Sequence, residues 1–132
     1  MKTSFLAILL IFVGAPGLAQ AAEDTLTMSW VAPTQRTDGT ALPLSQLSGF
    51  RVDWGTCTTA TPPAFGTQIG TATTTMNTDT EYSTGVLSPA TYCVRVYANA
   101  TDGTVSASSN IASKTIFPPP SPPKPATNVT VK

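Results

Sequence analysis

LSPATYCVRVYA, residues Leu87 to Ala98, is the stretch whose reading decides the fold. After a turn at Ser88-Pro89, Tyr92, Val94, Val96 and Ala98 alternate with Cys93, Arg95 and Tyr97. Successive side chains leave a strand on opposite sides, so this period of two predicts a strand buried on one face only. A tyrosine just after a Leu-x-Pro turn tucks its ring into the core while its hydroxyl reaches back to the turn's backbone, an arrangement called a tyrosine corner.

The same alternation recurs on either side. Leu26-Thr27-Met28-Ser29-Trp30 predicts a strand burying Leu26, Met28 and Trp30, and Pro33 follows where a ladder donor is no longer needed. Phe50-Arg51-Val52-Asp53-Trp54 repeats the pattern with Phe50, Val52 and Trp54 facing inward, and Gly55 ends it or begins a bulge. Residues 34–49, with Asp38-Gly39 as a turn signal, read as a long loop in which Leu47 plugs one end of the core. Residues 56–65 read as loop around Pro62-Pro63, residues 68–75 as a Thr-rich edge strand, residues 81–86 as a short strand and residues 110–116 as the closing one. No window outside the first twenty residues has helical periodicity. Short strands separated by turn clusters every ten or so residues predict an antiparallel sandwich.

The start of the chain sets its compartment. A basic Met1-Lys2, an apolar run from Phe5 to Val13, a Gly14-to-Gly17 break and Ala19-Gln20-Ala21 have the layout of a cleaved secretory signal over residues 1–21. The apolar run is well short of the roughly 20 residues that span a bilayer. Without Lys2, six Lys and Arg stand against seven Asp and Glu, a net charge of about −1. Such a balance argues against nucleic acid or an anionic membrane surface as a partner. There is no histidine among the 132 residues, which removes the commonest general base and the commonest transition-metal ligand. The two cysteines, Cys57 and Cys93, therefore make neither a usual zinc site nor a base-assisted nucleophile, and in an exported chain they read as a structural disulfide.

Four stretches, LTMSWVAP (26–33), LSGFRVDWG (47–55), LSPATYCVRVYA (87–98) and SSN (108–110), stand in the order and spacing that resemble a fibronectin type III domain of the kind found in secreted bacterial proteins. The resemblance implies an all-β, immunoglobulin-like antiparallel β-sandwich over residues 22–117. The turn from Leu87 to Tyr92 is one residue shorter than the family's usual spacing. The family's opening strand has only residues 22–25 to form from after cleavage, so it is expected to be short or missing. Residues 118–132 form a proline-rich tail whose PATNVTV resembles such an opening strand.

The family's strand order places the third strand beside the sixth. By parity Arg51, Asp53 and Cys57 then point outward with Cys93, Arg95 and Tyr97, and the two cysteines meet on the exposed face. Arg51, Asp53, Arg95 and Tyr97 form the candidate surface patch, with ordinary cross-strand charge pairing on a solvated sheet as the alternative. Trp30, Trp54, Leu87 and Tyr92 are expected in the core. No catalytic residue, cofactor or metal ligand is expected; an enzyme would need Asp38, Asp79, Glu81 and Asp102 to converge without histidine. The expected function is an exported, non-catalytic module for protein interaction, adhesion or spacing, its partner a protein or cell-surface polymer. The alternatives are a self-assembling subunit that donates Thr127 to Val131 as a strand to a neighbour, and a carbohydrate-binding module.

Overall fold

The computed structural model describes residues 10–11, 25–128 and 130–131. The greater part of residues 1–21, and with it the expected secretory signal, lies outside the described residues, as do residues 22–24. Seven strands form: β1 (Leu10–Ile11), β2 (Thr27–Trp30), β3 (Leu47–Cys57), β4 (Phe65–Thr73), β5 (Glu81–Ser83), β6 (Ala90–Ala100) and β7 (Ala112–Ile116). Among the described residues there is no α-helix, and a single 3₁₀ turn, Leu44–Gln46, leads into β3.

The strands make two antiparallel sheets, ordered β1-β2-β5 and β4-β3-β6-β7, which pack face to face as an all-β sandwich. Alternation sorts the side chains as expected along the two long strands. Phe50 and Val52 from β3 and Tyr92, Val94, Val96 and Ala98 from β6 meet Leu26, Met28 and Trp30 from the opposite sheet in one buried cluster. Two aromatic pairs span the gap: Trp30 lies 5.4 Å from Phe50, and Trp54 stacks on Tyr82 at 5.9 Å. Leu42 and Leu47 close one end of the core, while Leu44 stays exposed. The Tyr92 hydroxyl donates to the Ser88 carbonyl at 2.9 Å, so the tyrosine corner forms despite its shortened turn.

Several expectations change. The strand beside β3 begins at Phe65 rather than at residue 68, and β3 itself runs to Cys57. A bulge on either side of Gly55 lets β3 continue and meet Phe65 before the Pro62-Pro63 turn breaks the ladder. Trp54 and Leu87 are half-buried against the rim of the core rather than inside it, because Trp54 lies at the sheet margin over Gly70. The first strand among the described residues is short and comes from Leu10–Ile11, with Leu10 opposite Trp30 and Ile11 opposite Ser29, while residues 22–24, from which the opening strand is expected, lie outside the described residues.

The closing strand also begins later than expected, at Ala112, and reaches only as far as Val94 of β6. Beyond that point two serines stand in for it. Ser109 Oγ accepts from the Val96 N–H at 2.9 Å while the Ser109 N–H donates to the Val96 carbonyl at 2.8 Å. Ser106 does the same for Ala98, at 2.8 and 2.9 Å. A buried strand without a neighbour would leave these backbone groups unsatisfied, and each serine closes one residue's pair.

Candidate functional site

The outer face of the four-stranded sheet gathers the patch residues in two rows. One row runs Thr71, Asp53, Arg95 across β4, β3 and β6; the next runs Thr73, Arg51, Tyr97. Strand register alone therefore puts an aspartate directly beside one arginine and two residues from the other.

Asp53 is the correction here. Parity sends it to the outer face, yet only 1% of it is exposed. The two arginines fold over the short carboxylate: Arg51 Nε lies 3.4 Å from Oδ1, Arg95 Nε lies 3.4 Å from Oδ2, and the Thr71 hydroxyl donates to Oδ1 at 2.8 Å. Arg95 makes a hydrogen bond at that distance, whereas Arg51 Nε is out of line for one and is held by charge. A buried carboxylate is tolerated only when paired and hydrogen-bonded, and the three neighbours meet that demand.

The guanidinium groups are also held from the side. Arg51 lies over the Tyr97 ring at 4.1 Å, and Arg95 lies over Phe65 at 3.9 Å with Tyr97 at 5.5 Å. Stacking on aromatic faces restrains a side chain that otherwise loses rotamer entropy when it binds. The Arg51 side chain remains 41% exposed and that of Arg95 28%. The result is a stack of alternating rings and cations, anchored by one carboxylate and carrying a net positive charge. Phe65 and Thr71 were not among the expected patch residues. Phe65 fell in a stretch read as loop, whereas Thr71 had a legible signal in the alternation of the edge strand.

The cysteines pair as expected, Cys57 to Cys93 with Cα atoms 5.1 Å apart, but the bridge is not an exposed one. Cys93 is fully buried, since β6 is a central strand flanked by β3 and β7. The bond ties the end of β3 to the start of β6. Comparison with protein-family models and with curated proteins finds no match.

Three of the carboxylates outside this face, Asp38, Asp79 and Asp102, are engaged in their own turns, while Glu81 lies exposed on β5. Thr37-Asp38-Gly39-Thr40 and Thr101-Asp102-Gly103-Thr104 repeat one sequence and one geometry: each aspartate Oδ1 accepts from the N–H and hydroxyl of the threonine two residues on. Gly39 and Gly103 have φ of 83° and 84°, a left-handed conformation that glycine adopts without strain. These threonine hydrogen bonds hold both carboxyl groups below their usual range. Arg36 joins the two loops, donating to Gln46 Oε1 at 3.0 Å and lying 3.7 Å from Asp102 Oδ2. Asp79 Oδ2 accepts from the Met76 N–H in a separate turn. Among the described residues no three acidic or cysteine side chains cluster as metal ligands do.

Proposed function

We propose that this chain is an exported, non-catalytic interaction module of fibronectin type III type, whose outer sheet face binds a carboxylate-bearing partner, a protein or a cell-surface polymer. The observation that carries the reading is the arginine pair: two part-exposed guanidiniums share one buried carboxylate and are braced by Phe65 and Tyr97. Planar, weakly hydrated guanidiniums already fixed in place suit bidentate recognition of carboxylates. The family assignment is supported by the pairing of β2 with β5 opposite a β4-β3-β6-β7 sheet and by the tyrosine corner.

Export to the periplasm or outside the cell is supported by the secretory layout of residues 1–21 and by the disulfide, which persists in oxidising compartments. No helix among the described residues is long and apolar enough to cross a membrane. Sugar stacking is the less favoured reading. The aromatic rings on this face, Tyr97 and Phe65, each already carry an arginine on a face that a sugar ring would need.

Titration calorimetry against polygalacturonate, with neutral dextran as control, tests the anionic preference. Binding that weakens steeply with salt and falls at least tenfold in an Arg51→Ala/Arg95→Ala variant of unchanged fold is the expected result. Equal binding of both polymers, or of neither, rejects an anion-binding face for polymer partners.

A further inference from the structure

β2 lies between β5 and the two residues of β1. Leu10–Ile11 covers β2 only beside Ser29 and Trp30; next to Thr27 and Met28 that edge has no strand partner among the described residues. The occupant belongs to the segment that the export reading removes. Its loss leaves the backbone of β2 open directly over Leu26, Met28 and Trp30, all deeply buried. An open edge above a core is a template for another strand.

Resting on that export reading, we propose that the β2 edge is a strand-acceptor site, filled by Leu10–Ile11 in the precursor and, after export, by residues 127–131 of a second copy of this chain. The tail's TNVTV places Thr127, Val129 and Val131 on one side and Asn128 and Thr130 on the other, uncharged and rich in residues that favour extended backbone. Among the described residues of the tail, 117–128 and 130–131, none lies in a strand, Asn128 has a φ of 59°, and Val131 is 97% exposed.

Strand direction selects the second copy. Trp30 meets Phe50 near the start of β3, while Tyr82, opposite Met28, meets Trp54 further along it, so β2 runs against β3 and parallel to β6. β7 runs against β6 and ends at Ile116 opposite Ala90, at the pole where β2 begins. A strand antiparallel to β2, as β1 is, must start at the other pole. The tail would have to travel back along the sandwich from the level of Ala90 to that of Ala98, which pairs with Phe50 beside Trp30, about 26 Å at a strand's rise, and then cross to the other sheet and reverse. Residues 117–126 span about 31 Å as polyproline, and their six prolines keep them extended. The same stiffness projects the tail away from its own domain and toward a neighbour.

The test uses the full chain expressed in an exporting host. Intact mass of the exported product locates its first residue, and sedimentation velocity over a hundredfold concentration range reports assembly. The expected result is a chain starting near Ala22 whose average mass rises with concentration, and a Val129→Pro/Thr130→Pro variant that melts like the parent but stays monomeric. Adjacent prolines are used because one of two neighbouring N–H groups faces the acceptor in either register. Excess synthetic peptide spanning residues 126–132 should dissolve the parent's assemblies. Retention of residues 1–21, visible in the mass alone, overturns the export reading and the release step with it. A correctly processed monomer at every concentration, or assemblies that the proline variant keeps, overturns the acceptor site itself.

Discussion

Asp53 sits directly opposite Arg95 in the β3–β6 register, its Oδ2 3.4 Å from the arginine Nε, and has almost no exposed surface. Removing its charge leaves two guanidiniums facing each other across an emptied site. Asp53→Ala should therefore destabilise the fold by about 2 kcal/mol, less than the 3–5 kcal/mol of a fully buried pair because both arginines can turn toward water. Urea denaturation measures this. Arg95→Ala combined with Asp53→Ala should cost less than the sum of the single changes, which a double-mutant cycle reads directly.

The Cys57–Cys93 bond closes a separation of 36 residues. On the chain-entropy estimate, breaking it costs roughly 3–4 kcal/mol, a large share of what a domain of this size has. Denaturation midpoints with and without reductant, and for a Cys57→Ala/Cys93→Ala variant, should fall together. Unchanged midpoints would show that the bond adds nothing to the fold.

Ser109 is the substitute for a missing length of strand at Val96. Ser109→Ala removes the acceptor of a buried N–H and should cost about 1–3 kcal/mol. Hydrogen exchange supplies the specific readout: the Val96 amide should lose protection, while amides of β3 change only in step with global stability.

Asp38 and Asp102 predict an acid sensitivity at the loop end of the sandwich. Threonine hydrogen bonds lower both carboxyl groups from the usual 3.8. A carboxyl lowered in the folded state contributes stability that is complete above the unfolded value and is lost as pH falls from there through the folded one. Thermal midpoints of the parent should thus decline below about pH 4. Asp38→Asn/Asp102→Asn should decline less over the same interval, and matching slopes would exclude these turns as the cause.

Much of this structure is legible in residue alternation, and the misreadings have physical reasons. Period two fixes the inward set Phe50, Val52, Val94, Val96 because both central strands have a sheet across from them. It says only which side of a sheet Asp53 leaves from. Burial on that side depends on long neighbours folding over a short residue, which alternation does not encode. Phe65 was lost to the loop because Pro62-Pro63 ends a strand in sequence terms, while the bulges beside Gly55 lengthen β3 enough to reach it. The pairing of Cys57 with Cys93 followed from compartment and strand order, but its depth depends on β7 flanking β6.

The tail leaves from the end of β7, and β7 is joined to β6 through a short antiparallel ladder from Ala90–Ile116 to Val94–Ala112. Tension along the tail would pull β7 parallel to its own axis, so the rungs of that ladder resist as a group in shear instead of peeling one after another. The next link inward, β6 to β3, is covalently clamped near the same pole. Mechanical load should accordingly detach β7 first and stop at the sulfur bridge, leaving the paired central strands intact under forces that have already freed the edge.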